Sequence, residues 1–173
     1  KKPRMARGRK RRLKEGEYEA LMEALSGSFS NYQKPAINIT FGTAKRQSEI
    51  LNLSWENICL ERRLIRVIHT KNDANRTIPM MNDVFNIFNS LKNNHKTVLQ
   101  VNSSPFWQSW RRLTRRAGIE DLHFHDLRHE AISRMFEKGL TVAEVSMISG
   151  HRTVSQLFRY AHADIVKLSE KLS

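Results

Sequence analysis

The densest chemistry in this chain lies in five consecutive residues, His125, Asp126, Leu127, Arg128 and His129. On a helix beginning here, His125 and Arg128 stand one turn apart on one face and can reach a single oxyanion, a role that a phosphate fits. The same residues permit a second reading, in which His125 and His129 at i, i+4 act as metal ligands in an H-D-x-x-H imitation of the zinc-hydrolase pattern. Against it, Arg128 would set a fixed positive charge beside the metal, and no downstream carboxylate is an obvious third ligand. His95, His123 and His162, each alone, are ordinary hydrogen-bonded core or surface histidines.

Apolar spacing supplies the elements that must position these groups. Tyr18, Leu21, Met22 and Leu25 mark a helix from about Glu17 to Leu25, broken by the serine, glycine and asparagine of 26–31. Two further apolar stretches, Ala36 to Phe41 and Ile50 to Trp55, are read as helical, with Arg46 and Glu49 between them. Leu64, Ile65, Val67 and Ile68, then Thr77 and Ile78, are β-type runs and predict a short hairpin whose turn begins at Lys71. Val84, Ile87, Phe88 and Leu91 give another helix. Phe106, Trp110, Leu113 and Ala117 give one more, ending at Gly118, with its aromatics in the core. Ala131, Met135 and Phe136 lead to a stop at Gly139. Thr141 with Glu144, and Thr153 with Gln156, spell capping boxes that start short helices near Val142 and Val154. Gly150 closes the first, leaving His151 in a loop and Tyr160 near the end of the second. Thr141, Glu144, Val145, Ile148 and Gly150 also read passably as a helix-turn-helix, a purely DNA-binding alternative that leaves Arg46, Lys71 and the His-x-x-Arg without a task.

Charge narrows the class of partner. The 173 residues carry 30 Lys plus Arg against 17 Asp plus Glu, a formal charge of +13. Nine of those cations fall in the first 14 positions with no acid among them: Lys1, Lys2, Arg4, Arg7, Arg9, Lys10, Arg11, Arg12 and Lys14. Such a head is either a solvated linker or an arm along a phosphate backbone. Arg111, Arg112, Arg115 and Arg116 repeat at helical spacing in the body. With 39% apolar residues the chain is no disordered polycation, and no apolar run approaches the roughly 18 residues of a membrane span. Its one cysteine, Cys59, excludes an internal disulfide and a Cys-rich zinc site, which points to a reducing, cytosolic setting.

Taken in order, these residues resemble a known family, the tyrosine recombinases or phage integrases. Thr43, Ala44, Lys45, Arg46, Gln47, Ser48 and Glu49 are similar to its first arginine box. Thr70 and Lys71, with Arg76 and Pro79 beyond the turn, are similar to its hairpin lysine, and His125 to His129 match its His-x-x-Arg box. Ser149, Gly150 and His151, then Tyr160 nine residues on, match its third histidine and nucleophile. The similarity runs from about Arg12 to Lys167, and the stretch from Leu122 to Arg134 with Ser149 and Gly150 is most like the shufflon-type invertases. Three positions depart from the family pattern: Lys45 stands where an apolar residue is usual, Glu130 where a small hydroxyl residue is common, and Ser149 where leucine is usual.

The resemblance implies a mainly α fold with a small antiparallel β-sheet, the tyrosine-recombinase catalytic-domain fold. It implies residues 1–14 as a basic linker or arm and 15–173 as the catalytic domain, with an amino-terminal core-binding domain expected but absent from this chain. It further implies site-specific cleavage and rejoining of double-stranded DNA through a 3′-phosphotyrosine, in a synaptic complex with other copies, without cofactor or metal and away from membranes. The implied setting is the cytoplasm, at the nucleoid, for a protein of bacterial or phage origin. Tyr160 would be the nucleophile, Arg46 and Arg128 the phosphate ligands, His125 and His151 their assistants, and Lys71 the acid for the leaving 5′ oxygen, with Glu49 and Asp126 in support. DNA contacts are expected from Lys1, Lys2, Arg4, Arg7, Arg9, Lys10, Arg11, Arg12, Arg111, Arg112 and Arg115. The physics agrees: a phenol with reference pKa ~10 needs cations and a nearby base to attack, and guanidiniums can stabilise a pentavalent transition state without a metal.

Overall fold

A computed structural model describes residues 9, 11–27, 31–68, 75–92, 94–158 and 160. Helices α1 (Glu17–Ser26), α2 (Gln33–Thr43) and α3 (Gln47–Leu51) precede a three-stranded sheet, β1 (Ile58–Cys59), β2 (Leu64–Val67) and β3 (Arg76–Pro79). Helices α4 (Asn82–Leu91), α5 (Ser103–Arg116), α6 (Phe124–Glu137) and α7 (Val142–Ser149) follow. Among the described residues no helix is long and apolar enough to cross a membrane.

The sheet is antiparallel in the order β1-β2-β3. Its register sets Ile65 opposite Ile78 on the buried face and Arg66 opposite Thr77 on the other, the period-two pattern of a half-buried sheet. β1 is a two-residue strand that apolar patterning did not reveal. The reading of Ile50–Trp55 as helix is corrected: α3 ends at Leu51, and a single 3₁₀ turn at Trp55–Asn57 follows. The reading of a helix from Val154 towards Tyr160 is corrected too. Only a 3₁₀ turn forms at Val154–Gln156, and Thr153 makes no side-chain cap bond. The Thr141 box does form, with Thr141 N–H donating to Glu144 at 2.7 Å and Glu144 N–H to Thr141 Oγ1 at 3.3 Å. The hairpin turn, with Lys71, lies outside the described residues.

Burial collects in two apolar clusters that meet along α6. The larger joins the sheet to α1, α2, α4 and α5 and includes Leu127; the smaller holds Ala44, Ala131, Ile132, Met135, Val145, Leu157 and Tyr160. Phe124 opens α6 between Phe106 and Trp110, edge-to-face with each at 4.9 and 5.1 Å. Gly42 lets α2 lie against α4, since a Cβ there would sit 2.2 Å from a methyl of Val84.

Two charged features of the packing concern the basic head and Lys45. Arg9, Arg11 and Arg12, expected on a phosphate backbone, are engaged by carboxylates of this chain. Arg9 Nε meets Asp126 at 2.7 Å, Arg11 pairs with Glu17 at 2.6 Å, and Arg12 reaches Glu130 at 2.9 Å and Glu137 at 2.8 Å. The reason lies in α6, where Asp126, Glu130 and Glu137 share one helical face turned towards the incoming chain. Lys1, Lys2, Arg4, Arg7 and Lys10 lie outside the described residues. The second feature is Lys45, the largest of the fully buried side chains, at 1% exposure. Burial pushes its ammonium down to about 8, with Glu49 opposing and Arg76 and Arg128 reinforcing the shift.

Both features bear on stability. Burial raises the Glu130 carboxyl, but hydrogen bonds from Arg12 and Arg134 outweigh it and hold the group below the usual range. Glu130→Gln should therefore lose about 2–4 kcal/mol at pH 7 in urea unfolding. Because a depressed carboxyl stabilises only while ionised, that difference should vanish as pH falls through the folded-state value. Lys45→Met should do the opposite and gain ~1–3 kcal/mol. A depressed ammonium destabilises the fold most below its folded value, so the gain should be largest under pH 8 and fade as pH rises towards the free lysine value. An Lys45→Met midpoint equal to wild type at pH 6 would contradict this account.

Candidate active site

The site is assembled where three chain turns converge on α6. α2 ends at Ala44, whose backbone is left-handed (φ 47°), so the chain reverses sharply and delivers Arg46 to the start of α3. There the Arg46 N–H donates to Glu49 Oε2 at 3.0 Å and its guanidinium to Oε1 at 3.1 Å, an N-terminal box closed by a carboxylate. The Arg46 side chain remains 40% exposed.

Arg128, one turn into α6, is 3% exposed. Its Nη1 donates to the Ala44 carbonyl and its Nη2 to the Ser149 carbonyl at 2.8 Å. Burial brings its pKa down to about 10, with Arg46 adding to the effect and Glu49 countering it. Two carbonyls satisfy donors without cancelling charge, so the guanidinium keeps its positive field for an anion.

His125 stands one turn before Arg128, as the spacing predicted. Desolvation and then the Arg128 charge lower its pKa, which favours a neutral imidazole at physiological pH. His151 follows Gly150, and its Nδ1 shares a hydrogen bond with Ser149 Oγ at 2.7 Å while its carbonyl accepts from Ser146 Oγ at 2.9 Å. The hydroxyl of Ser149 thus orients the third histidine, a task the leucine usual there could not perform. Gly150 is left-handed (φ 72°), and a Cβ on it would fall 2.5 Å from the Arg76 guanidinium.

Arg76, quoted at the sequence level only as a hairpin landmark, is a member of this cluster. From the start of β3 it donates to the carbonyls of Ile148 and Ser149, each at 3.4 Å, and approaches Glu49 at 3.6 Å. Glu49, expected in support, sits among Arg46, Arg76 and Lys45. Burial alone would raise its pKa, but the Arg46 N–H and the surrounding cations hold it low. Asp126, also expected in support, faces away from His125. It is fully buried, accepting from the His123 N–H at 2.8 Å and from Arg9.

Tyr160 is buried, and its hydroxyl is hydrogen-bonded to His129 Nδ1. The two rings stack at 5.7 Å and 26°, and His125 meets His129 edge-on at 4.9 Å. His129 entered the sequence analysis only as a metal ligand, yet among the described residues no three His, Cys, Asp or Glu side chains gather as a metal site. Nothing in this arrangement favours the helix-turn-helix alternative, which gives Arg46, His125 and Arg128 no task. Beside Arg46 and His125 opens a cleft of about 640 Å³, also lined by Ser48, Asn52, Gln100 and Asn102. Arg111, Arg112 and Arg115 are exposed on α5, Arg111 over the Trp107 ring at 4.8 Å.

Known proteins resemble this chain in sequence and in fold. The shufflon-specific DNA recombinase of Escherichia coli is 41% identical over 174 residues, covering 99% of this chain and 45% of that protein, so the chain spans about half of its relative's length. The catalytic domain of bacteriophage HP1 integrase superposes with a TM-score of 0.72 at 25% identity, over 87% of this chain and 86% of that one. The Tn1549 transposon integrase, in complex with circular intermediate DNA, matches in fold with a TM-score of 0.76 at 22% identity, over 96% of this chain and 68% of that one. The family model described as phage integrase matches residues 11–165. Matched by that model over most of its length, this chain belongs to the phage integrase family.

Proposed function

We propose that this chain is the catalytic part of a tyrosine site-specific recombinase, which cleaves and rejoins double-stranded DNA through a 3′-phosphotyrosine. The observation that carries the reading is Arg128, a buried guanidinium held by neutral carbonyls one turn from His125 and within the electrostatic reach of Arg46 and Tyr160. In this mechanism Arg46 and Arg128 bind the non-bridging oxygens of the scissile phosphate, and His125 and His151 add hydrogen bonds as negative charge grows. Tyr160 Oη attacks phosphorus, the bond to the 5′ oxygen breaks, and Lys71 protonates the departing oxygen. Rejoining is the same path reversed, with a 5′ hydroxyl as nucleophile. The partners are duplex DNA and further copies of the recombinase in a synapse, and the setting is the bacterial cytoplasm at the nucleoid. Arg111, Arg112 and Arg115 present their charge to the DNA backbone.

Two measurements test the assignment. A suicide DNA substrate should trap an adduct on Tyr160 that survives EDTA. Tyr160→Phe should abolish it while leaving DNA binding almost intact, and loss of Arg46 or Arg128 should slow its formation by at least ~10²-fold. An adduct on Tyr18 or Tyr32 would sink the mechanism. Lys71→Ala should cleave ordinary DNA very slowly, yet cleave at close to the wild-type rate when sulfur replaces the bridging 5′ oxygen, because a thiolate leaves without an acid. Arg128→Ala should gain no such rescue; an undiminished Lys71→Ala defect on the sulfur substrate would move the acid elsewhere.

A further inference from the structure

His129 has no part in the mechanism above, yet its ring is what the Tyr160 hydroxyl meets. It lies one turn beyond His125 on α6, 9% exposed, with Nδ1 hydrogen-bonded to the phenol and its ring stacked on the tyrosine ring. His151 shares its Nδ1 with Ser149 Oγ. His125 turns its ring edge-on to His129 at 4.9 Å and so packs it from the preceding turn. A phenol with reference pKa ~10 is ionised to roughly one part in a thousand at neutral pH. A base already bonded to the hydroxyl removes that deficit at the moment of attack, typically worth ~10²–10⁴-fold.

We propose that His129 is a catalytic residue, the general base that takes the Tyr160 proton during cleavage and returns it during ligation. The inference rests on Tyr160 being the nucleophile. As Oη forms its bond to phosphorus, its proton passes to Nδ1 of a neutral His129. The P–O5′ bond breaks, and the leaving oxygen takes its proton from a separate acid. In ligation the 5′ hydroxyl attacks the phosphotyrosine and returns its proton to that now-deprotonated acid, the Oη–P bond breaks, and imidazolium His129 reprotonates the phenolate. Two histidines on successive turns of α6 thus divide the work, His125 towards the phosphate and His129 towards the nucleophile.

The test uses the protein carrying this chain on a suicide substrate with a 5′-bridging sulfur, so that leaving-group protonation no longer contributes. His129→Asn retains a hydrogen-bond acceptor where Nδ1 stood but cannot accept a proton; His129→Ala removes both. Both should bind DNA as wild type does and form the adduct at least ~10²-fold more slowly. Replacing Tyr160 with 3,5-difluorotyrosine, whose phenol is far more acidic, should recover most of the rate lost in His129→Asn when that double variant is compared with the difluorotyrosine protein carrying His129. Near-wild-type cleavage by His129→Asn would reduce His129 to a positioning residue and overturn the proposal. So would a fluorotyrosine that leaves the defect unchanged. Failure of the nucleophile assignment has a separate signature, an adduct that persists in Tyr160→Phe.

Discussion

One buried guanidinium holds the site together. Arg128 donates to the carbonyl that ends α2 and to the carbonyl that ends α7, so two segments far apart in sequence are pinned to α6 by a single side chain. It does so at the seam of the two apolar clusters, with Leu127 in one and Ala131 in the other. An apolar substitute would take this partner from the Ala44 carbonyl and leave the Ser149 carbonyl only the longer bond from Arg76, and an orphaned buried carbonyl costs about 1–3 kcal/mol. Because its hydrogen-bond partners are neutral, the same residue keeps the positive charge that a phosphate requires.

Around it the charge is deliberately unbalanced. Glu49 is the carboxylate at which Arg46 and Arg76 meet, with buried Lys45 beside it. That one anion fixes the register of the first arginine and steadies the rest without neutralising the group. Burial, reinforced by neighbouring cations and opposed by Glu49, depresses Lys45 and Arg128. The protein holds this potential ready before any substrate arrives, which is the preorganisation that electrostatic catalysis needs.

How much of this could be read from residues alone follows the range of the contacts. His125 with Arg128, and Arg46 with Glu49, are legible because helical geometry places i and i+3 together wherever the helix lies. The Thr141 cap and the alternation of Leu64–Val67 are legible for the same local reason. What escaped depends on tertiary contact. His129 and Tyr160 are 31 positions apart, and Arg76 reaches the α7 carbonyls across 72. The run after Thr153 carries the letters of a capping box but stops after one 3₁₀ turn. The pairing of Arg9 and Arg12 with α6 escaped because their carboxylate partners Asp126 and Glu130 lie more than a hundred residues away, on a helical face whose spacing was visible but whose direction was not.

That docked head changes what a deletion can mean. Arg9 and Arg12 supply guanidiniums to Asp126 and Glu130, buried residues that flank His125 and Arg128 in sequence. Trimming the chain past residue 12 would strip both carboxylates of those partners and leave them to repel each other along the catalytic helix. A shortened protein that no longer cleaves is therefore ambiguous evidence about DNA contact, since the cut also loosens the scaffold under the active site. Charge-conserving exchanges within 9–12, or fusion joints placed upstream of residue 9, keep the two effects apart.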